Sequence, residues 1–290
     1  MQSESISFLS QFPDTLQDLP GICLDAGTRG RAFVAAQGAQ VLSWQAADGI
    51  ERLYLSPTTG GLTRDGREPA PIRGGMPICF PQFSDRGSMI KHGFSRNLPW
   101  RPGNRTPASL TMVLHDDDAS RQHWPHAFAT QLDVRLESGR LEILFKVANT
   151  GSMPFSFTAA LHTYLRVEDV RRIHLLGLDN VDYQDATDHC SVKTQEEQKL
   201  PIPGEVDRVY MQTPGPIKII EQDRTLLTIS QQGFFDTVIW NPGPDKARML
   251  ADFPDNDWLH MLCVEAASAS TAVTIAPSEI WEGSQRLDVG

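Results

Sequence analysis

Three side chains in this sequence stand where packing alone explains them poorly. His162 lies in Phe155-Ser-Phe-Thr-Ala-Ala-Leu-His-Thr-Tyr164. Period-two alternation puts Phe155, Phe157, Ala159 and Leu161 on one face and Ser156, Thr158, Ala160, His162 and Tyr164 on the other, so the histidine opposes the greasy face. Such a histidine is a neutral core residue satisfied by one carbonyl, a proton donor or acceptor near neutral pH, or a metal ligand. The metal reading is the weakest, because His123 and His126 flank Pro125 outside any helical pattern and no H-E-x-x-H occurs. Glu265 sits inside the apolar run His260-Met-Leu-Cys-Val-Glu-Ala-Ala267. An ionised carboxylate there loses hydration, so it is paired, exposed on one sheet face, or raised in pKa to serve as a base. Asp207, in Val206-Asp-Arg-Val-Tyr210, either pairs with Arg208 or accepts hydrogen bonds from ligand hydroxyls.

A second feature is a local excess of cations. Arg73-Gly-Gly-Met-Pro-Ile-Cys-Phe-Pro is followed by Lys91-His92-Gly-Phe-Ser-Arg96-Asn-Leu-Pro-Trp. From Arg64 to Arg101 there are seven basic residues (Arg64, Arg67, Arg73, Arg86, Lys91, Arg96, Arg101) against three acidic ones, in a chain whose formal charge is −10. Either these are solvated surface cations or they hold a small anion in a pocket, and a phosphate fits best. Arginine offers a planar fork of donors, lysine a point charge, and glycine lets the backbone approach a ligand.

The elements that must position these groups read as strands. Alternation broken by Gly, Pro, Asn and Asp runs through most of the chain. Arg31 to Trp44 predicts two strands turned near Gln37-Gly38. Residues 128 to 148 predict a hairpin turned at Ser138-Gly139. Further strands are expected at 109–114, 155–167, 172–178, 206–212, 217–221, 224–230, 236–240, 260–267 and 271–276. Helix is scarce, with Ala119 to Trp124 the best window. Many strands and few crossover helices imply stacked antiparallel sheets, an all-β sandwich or barrel. Asp116 to Asp118 reads as a solvated turn, since no glycine or distal glutamate completes a calcium loop. Trp240-Asn-Pro-Gly-Pro244 reads as a turn closing a strand, with no chemistry assigned to it.

The 290 residues carry 40% hydrophobic and 21% charged side chains, enough for a sizeable core, and no linker or repeat divides them, so a single domain over 1–290 is expected. The N-terminus has no basic segment followed by an apolar run, and no stretch approaches the ~18 apolar residues of a membrane span. A cytoplasmic protein is expected. The four cysteines form no C-x-x-C pair, which points to buried thiols rather than a zinc ribbon or disulfide framework. The acidic balance argues against nucleic acid or membrane surfaces as partners.

Taken in order, Arg73-Gly-Gly-Met-Pro-Ile-Cys-Phe-Pro, Lys91-His-Gly-Phe-Ser-Arg96, Leu161-His-Thr-Tyr164, Asp207-Arg-Val-Tyr210, Val238-Ile-Trp-Asn-Pro242 and Cys263-Val-Glu-Ala266 resemble the hexose-6-phosphate mutarotases (glucose-6-phosphate 1-epimerases) of the aldose 1-epimerase group. The match covers about residues 25 to 285. The resemblance implies an all-β antiparallel supersandwich of galactose-mutarotase type with few short helices, and neither metal nor organic cofactor. It places the catalytic pair on His162 and Glu265, with Asp207 and His92 contacting the sugar and Arg73 and Arg96 gripping the phosphate. Lys91 is a third phosphate contact. One departure is visible: family members often carry a tryptophan and a Phe-Gly step after the Pro-rich motif, where this chain has Phe80-Pro-Gln-Phe-Ser-Asp-Arg-Gly87.

The expected activity is interconversion of the α and β anomers of a hexose 6-phosphate by acid–base ring opening and closure, carried out by a monomer whose only partner is a small sugar phosphate. Two rivals remain at this point. A non-catalytic sugar-phosphate-binding protein would keep Arg73 and Arg96 without needing both His162 and Glu265. A glycosidase would need two carboxylates flanking the bond, which leaves His162 without a purpose.

Overall fold

The computed structural model describes residues 12–13, 16–60, 70–213 and 215–290, so Arg64 and Arg67 of the cation-rich stretch lie outside the described residues. Its strands form three sheets, and every strand pairing is antiparallel. A small sheet holds Gly21–Asp25, Arg31–Ala35 and Val41–Gln45. A nine-stranded sheet is built around the hairpin Phe128–Glu137 and Arg140–Asn149, which turns where the sequence predicts. The eight-stranded sheet carries Asp207 and Glu265, with His162 at the break between two of its strands. Its order is Ser191–Thr194, Asp182–Asp185, Val206–Tyr210, Asp236–Asn241, Met261–Ile275, Phe155–Leu161 and Ile78–Cys79, with Tyr164–Arg166 also paired to Met261–Ile275.

The two large sheets pack face to face. Phe80 and Phe157 from one side meet Phe145 and Trp281 from the other, with ring centroids 5.7 Å apart for Phe80–Phe145 and 5.5 Å for Phe157–Trp281. Such edge contacts between large rings add specificity to the apolar burial that drives the sandwich. Polar bonds also cross the layer: the fully buried Gln285 donates to the Val264 carbonyl at 2.9 Å and accepts from the Thr163 hydroxyl. On the outer face of the eight-stranded sheet a smaller apolar cluster gathers Cys79, Ala160, Val209, Val238, Ala267 and Ala269 with Phe83 packed among them.

Three differences from the sequence reading have physical causes. The expected strand 155–167 breaks at His162-Thr163, because the His162 N–H turns to the Pro77 carbonyl and the Thr163 side chain reaches the other sheet. The two strands expected at 260–267 and 271–276 are one, Met261–Ile275, whose ladder to Phe155–Leu161 shifts register between Ser268 and Val273. Ile280–Val289 was not expected at all. Its inward row is Trp281, Gly283, Gln285, Leu287 and Val289, and the glycine and glutamine at its centre break the apolar alternation. The helix falls at Asp118–His123, where Asp117 accepts from the Ser120 N–H in a capping box, so the acidic triplet starts a helix and is not merely a solvated turn. Among the described residues no helix is long and apolar enough to cross a membrane. All four cysteines are free, and Cys190 is exposed where a buried thiol was expected.

Candidate active site

Strand register assembles the site. Across the outer face of the eight-stranded sheet, Asp207 pairs with Trp240, Trp240 with Cys263, and Cys263 with Tyr164, giving one row from four strands. The adjacent row runs Val209, Val238, Glu265. His162 enters that row from the break between Phe155–Leu161 and Tyr164–Arg166, where Leu161 still pairs with Ala266. Alternation then keeps Cys263 and Glu265 on one face, two residues apart.

His162 Nδ1 lies 3.2 Å from Glu265 Oε1, and both side chains are buried, at 8% and 1% exposure. The separation is that of an ion pair, but the ring is not aimed for a hydrogen bond: Nδ1 and Glu265 Oε2 have no partner. A buried carboxyl without a donor is costly, which marks a place where a ligand's hydroxyls fit. Burial first, and the Asp207 carboxylate second, push the Glu265 carboxyl well above its ordinary pKa. Burial, then His92, Arg96 and Arg73, hold His162 well below 6.5. Burial thus disfavours charge on both members of the pair.

Aromatic rings fix the histidine. Tyr164 stacks on His162 with centroids 4.7 Å apart and planes 6° from parallel, while Trp240 meets both rings edge-on at 6.2 and 6.0 Å. Sequence reasoning gave neither aromatic a role, since strand aromatics are ordinary core residues until their neighbours are known. The Asn-Pro-Gly turn after Trp240 also positions charge. Asn241 donates to the Trp258 and Met261 carbonyls and accepts from the Gly243 N–H, starting the short helix Gly243–Ala247, whose Lys246 lies 3.6 Å from Asp207. Asp207 thus faces Lys246, while Arg208 turns to Gln195 and Tyr210. Burial raises the Asp207 pKa, with Lys246 and then Lys91 pulling it back.

His92 completes the imidazole pair, its ring 5.3 Å from that of His162. Its Nδ1 accepts from the Ser84 N–H at 3.2 Å and lies 3.1 Å from the Cys79 sulfur. An accepting Nδ1 puts the proton on Nε2, so His92 is a neutral donor. Burial first, then Arg96, Lys91 and Arg73, lower its pKa to about 3. The loop holding His92 is bent tightly: His92 and Gly93 have φ of 66° and 68°, and a Cβ at Gly93 would stand 2.2 Å from the Phe80 carbonyl oxygen.

The three cations sit around this centre. Arg73 donates to Asp252 at 2.8 Å and reaches the Tyr164 hydroxyl at 3.5 Å, leaving part of its fork uncommitted. Arg96 donates to the Lys91 carbonyl at 2.9 Å, and its buried Nε has no partner. Lys91 itself is exposed. Together with His92, Asp207, His162 and Glu265, all seven residues singled out in the sequence belong to one neighbourhood. The fold also brings in Cys263, whose sulfur lies within 4.8 Å of ligand atoms of both His162 and Glu265.

The aldose 1-epimerase family model matches residues 20–288, nearly the whole chain. The chain belongs to the aldose 1-epimerase family. A relative from Cenchrus ciliaris, named "Putative glucose-6-phosphate 1-epimerase", is 35% identical over 265 residues, spanning 87% of this chain and 79% of its own. An Escherichia coli protein of the same name is 30% identical over 248 residues, covering 83% and 80%. Among solved structures, a Salmonella typhimurium protein described as a "putative mutarotase" superposes with a TM-score of 0.83 at 29% identity, over 95% of this chain and 92% of that one. The Synechocystis protein Slr1438 shares the fold, with a TM-score of 0.76 at 23% identity, over 94% and 96%. The supersandwich expected from the resemblance is thus the fold of this aldose 1-epimerase family member.

Proposed function

We propose that this aldose 1-epimerase family enzyme interconverts the α and β anomers of a hexose 6-phosphate, glucose 6-phosphate foremost. The observation that carries the reading is the buried His162–Glu265 pair, 3.2 Å apart and short of hydrogen-bond partners, set among Arg73, Arg96 and Lys91. Two relatives named for glucose-6-phosphate 1-epimerase support the choice of sugar.

Anomer exchange removes a proton from the C1 hydroxyl and delivers one to the ring oxygen. The C1–O5 bond breaks, an open aldehyde forms, C1 turns about the C1–C2 bond, and the ring recloses on the other face. Glu265 takes the hydroxyl proton and His162 supplies the other; in the reverse direction the roles swap. Proton count favours this division. A carboxyl beside an imidazole holds the same number of protons as a carboxylate beside an imidazolium, so the pair can take one proton from the sugar and return one to it without exchange with solvent. Hydroxyls of the sugar satisfy Glu265, while the His92 Nε2–H and Asp207 orient the ring. Arg73 and Arg96 hold the phosphate, with Lys91 at the rim, converting binding energy far from C1 into positioning. The chemistry needs no cofactor.

The rival readings explain less. A pure binder has no use for a buried carboxyl lacking donors beside an imidazole, and the second carboxylate that a glycosidase requires, Asp207, faces Lys246. Exchange NMR decides the substrate: anomeric proton exchange above the spontaneous rate is expected with glucose 6-phosphate and far weaker exchange with glucose. Equal efficiency on both removes the phosphate from the reading, and exchange with neither removes the reading itself.

A further inference from the structure

Cys263 takes no part in anomer exchange as described, yet it sits against the residues that do. It faces the same side of strand Met261–Ile275 as Glu265, and its cross-strand neighbours are Tyr164 and Trp240. The Cys263 sulfur, a carboxylate oxygen of Glu265 and a ring nitrogen of His162 all lie within 4.8 Å of one another, and all three residues are at least nine-tenths buried. Two polar atoms of that group, His162 Nδ1 and Glu265 Oε2, have no hydrogen-bond partner. One nitrogen, one sulfur and one carboxylate oxygen, converging with lone pairs unused, make a recognisable donor set.

We propose that Cys263, His162 and Glu265 form an inhibitory site for a thiophilic divalent cation, zinc in the first instance. Tetrahedral zinc with bonds of about 2.0–2.3 Å places its ligands about 3.5 Å apart, so the three side chains need only side-chain rotations of about an ångström to close on it. Three protein ligands leave the fourth position for water or a sugar hydroxyl. Binding releases the Cys263 thiol proton and any proton on Glu265 to solvent, and the resulting thiolate and carboxylate offset the repulsion of Arg73 and Arg96 towards a cation. Sulfur in the set selects against magnesium and calcium, which take oxygen ligands. Occupancy ties up the lone pairs of both Glu265 and His162, so the bound cation arrests proton transfer rather than assisting it. The inhibition, though not the binding, rests on the acid–base reading of that pair.

The test uses the full chain, stripped of metal with a chelator, and two readouts. Cadmium titration followed by its thiolate charge-transfer absorption reads binding without reference to activity. Zinc titration of the glucose 6-phosphate anomer exchange rate reads inhibition. One equivalent of cadmium is expected to develop the band in wild type and in Cys190→Ser, which removes the exposed thiol, and not in Cys263→Ser. Cys263→Ser is expected to keep the basal rate and to need at least tenfold more zinc for half inhibition, with chelator restoring the wild-type rate; Cys263→Ala serves if the serine variant fails to fold. A band that survives in the Cys263 variants, or one lost in Cys190→Ser, overturns the site. So does unchanged zinc sensitivity in the Cys263 variants. A Cys263-dependent band in a protein that exchanges no sugar's anomers would leave the cation site standing and sink the anomerase reading instead.

Discussion

Tyr164 lies flat on His162, 4.7 Å away and 6° from parallel, and its hydroxyl is 3.5 Å from Arg73 Nη1. One side chain therefore touches both the proposed acid–base pair and the proposed anion grip. Cross-strand pairing explains why: Tyr164 opposes Cys263, one row from Glu265, in the short strand that resumes after the break at His162. Replacing Tyr164 with leucine should lower kcat about tenfold through loss of the stack, whereas Tyr164→Phe should keep kcat and raise KM slightly. Equal kcat losses in both variants would assign the hydroxyl, not the ring, the larger part.

The proposed phosphate grip predicts a split between substrates. Arg73→Ala removes charge-assisted bonds of the kind worth roughly 1.5–3 kcal/mol each, so KM for glucose 6-phosphate should rise about tenfold to a hundredfold. Turnover of free glucose should change little. Parallel losses on both sugars would mean that Arg73 holds the site together through Asp252 and Tyr164 and does not read the phosphate.

His92 makes stability depend on pH with a definite sign. Its pKa falls from 6.5 to about 3, chiefly through burial and then through Arg96, Lys91 and Arg73. Below 6.5 the unfolded chain binds this proton while the folded chain does not, so the native state loses stability as pH falls from 6.5 towards 3. Each unit in that window costs up to about 1.4 kcal/mol. His92→Gln lacks the effect, and its stability should approach that of wild type as the medium is acidified. Denaturant midpoints at pH 7.5, 6 and 5 check this, and parallel curves would contradict it.

Gly93 is a strict backbone requirement near the anion site. At φ 68°, with a would-be Cβ only 2.2 Å from a carbonyl oxygen, Gly93→Ala must move the His92 loop away from Phe80. A loss of at least ~2 kcal/mol is expected, read as a lower denaturant midpoint at unchanged slope. An unchanged midpoint would mean that the loop shifts freely.

What could be read in the sequence followed from how strongly each segment departs from chance. The hairpin at 128–149 alternates over its whole length with one apolar face, and both strands and the turn were legible. Arg101–Thr106 was not, because it is exposed throughout, contains Pro102 and Gly103, and pairs on one side only, at the edge of its sheet. His162 and Glu265 were legible as misfits within apolar runs. Trp240 and Tyr164 were hidden because aromatic residues in strands fit the core as well as a site. Cys263 was hidden for a different reason: its importance lies in which strands are neighbours, and pairing order is not written in any local pattern. The sequence also could not show how far burial disfavours charge on His162 and Glu265, which depends on how the strands stack.

Glu265 and His162 are proposed to exchange the anomers. The most direct test is magnetisation transfer between the two anomeric protons of glucose 6-phosphate at equilibrium, for wild type and Glu265→Gln, with the spontaneous rate subtracted. Wild type should transfer magnetisation, and the variant, folded and still binding the sugar phosphate, should be slower by about 10²–10⁴-fold. A Glu265→Gln protein that exchanges anomers at the wild-type rate would contradict the account.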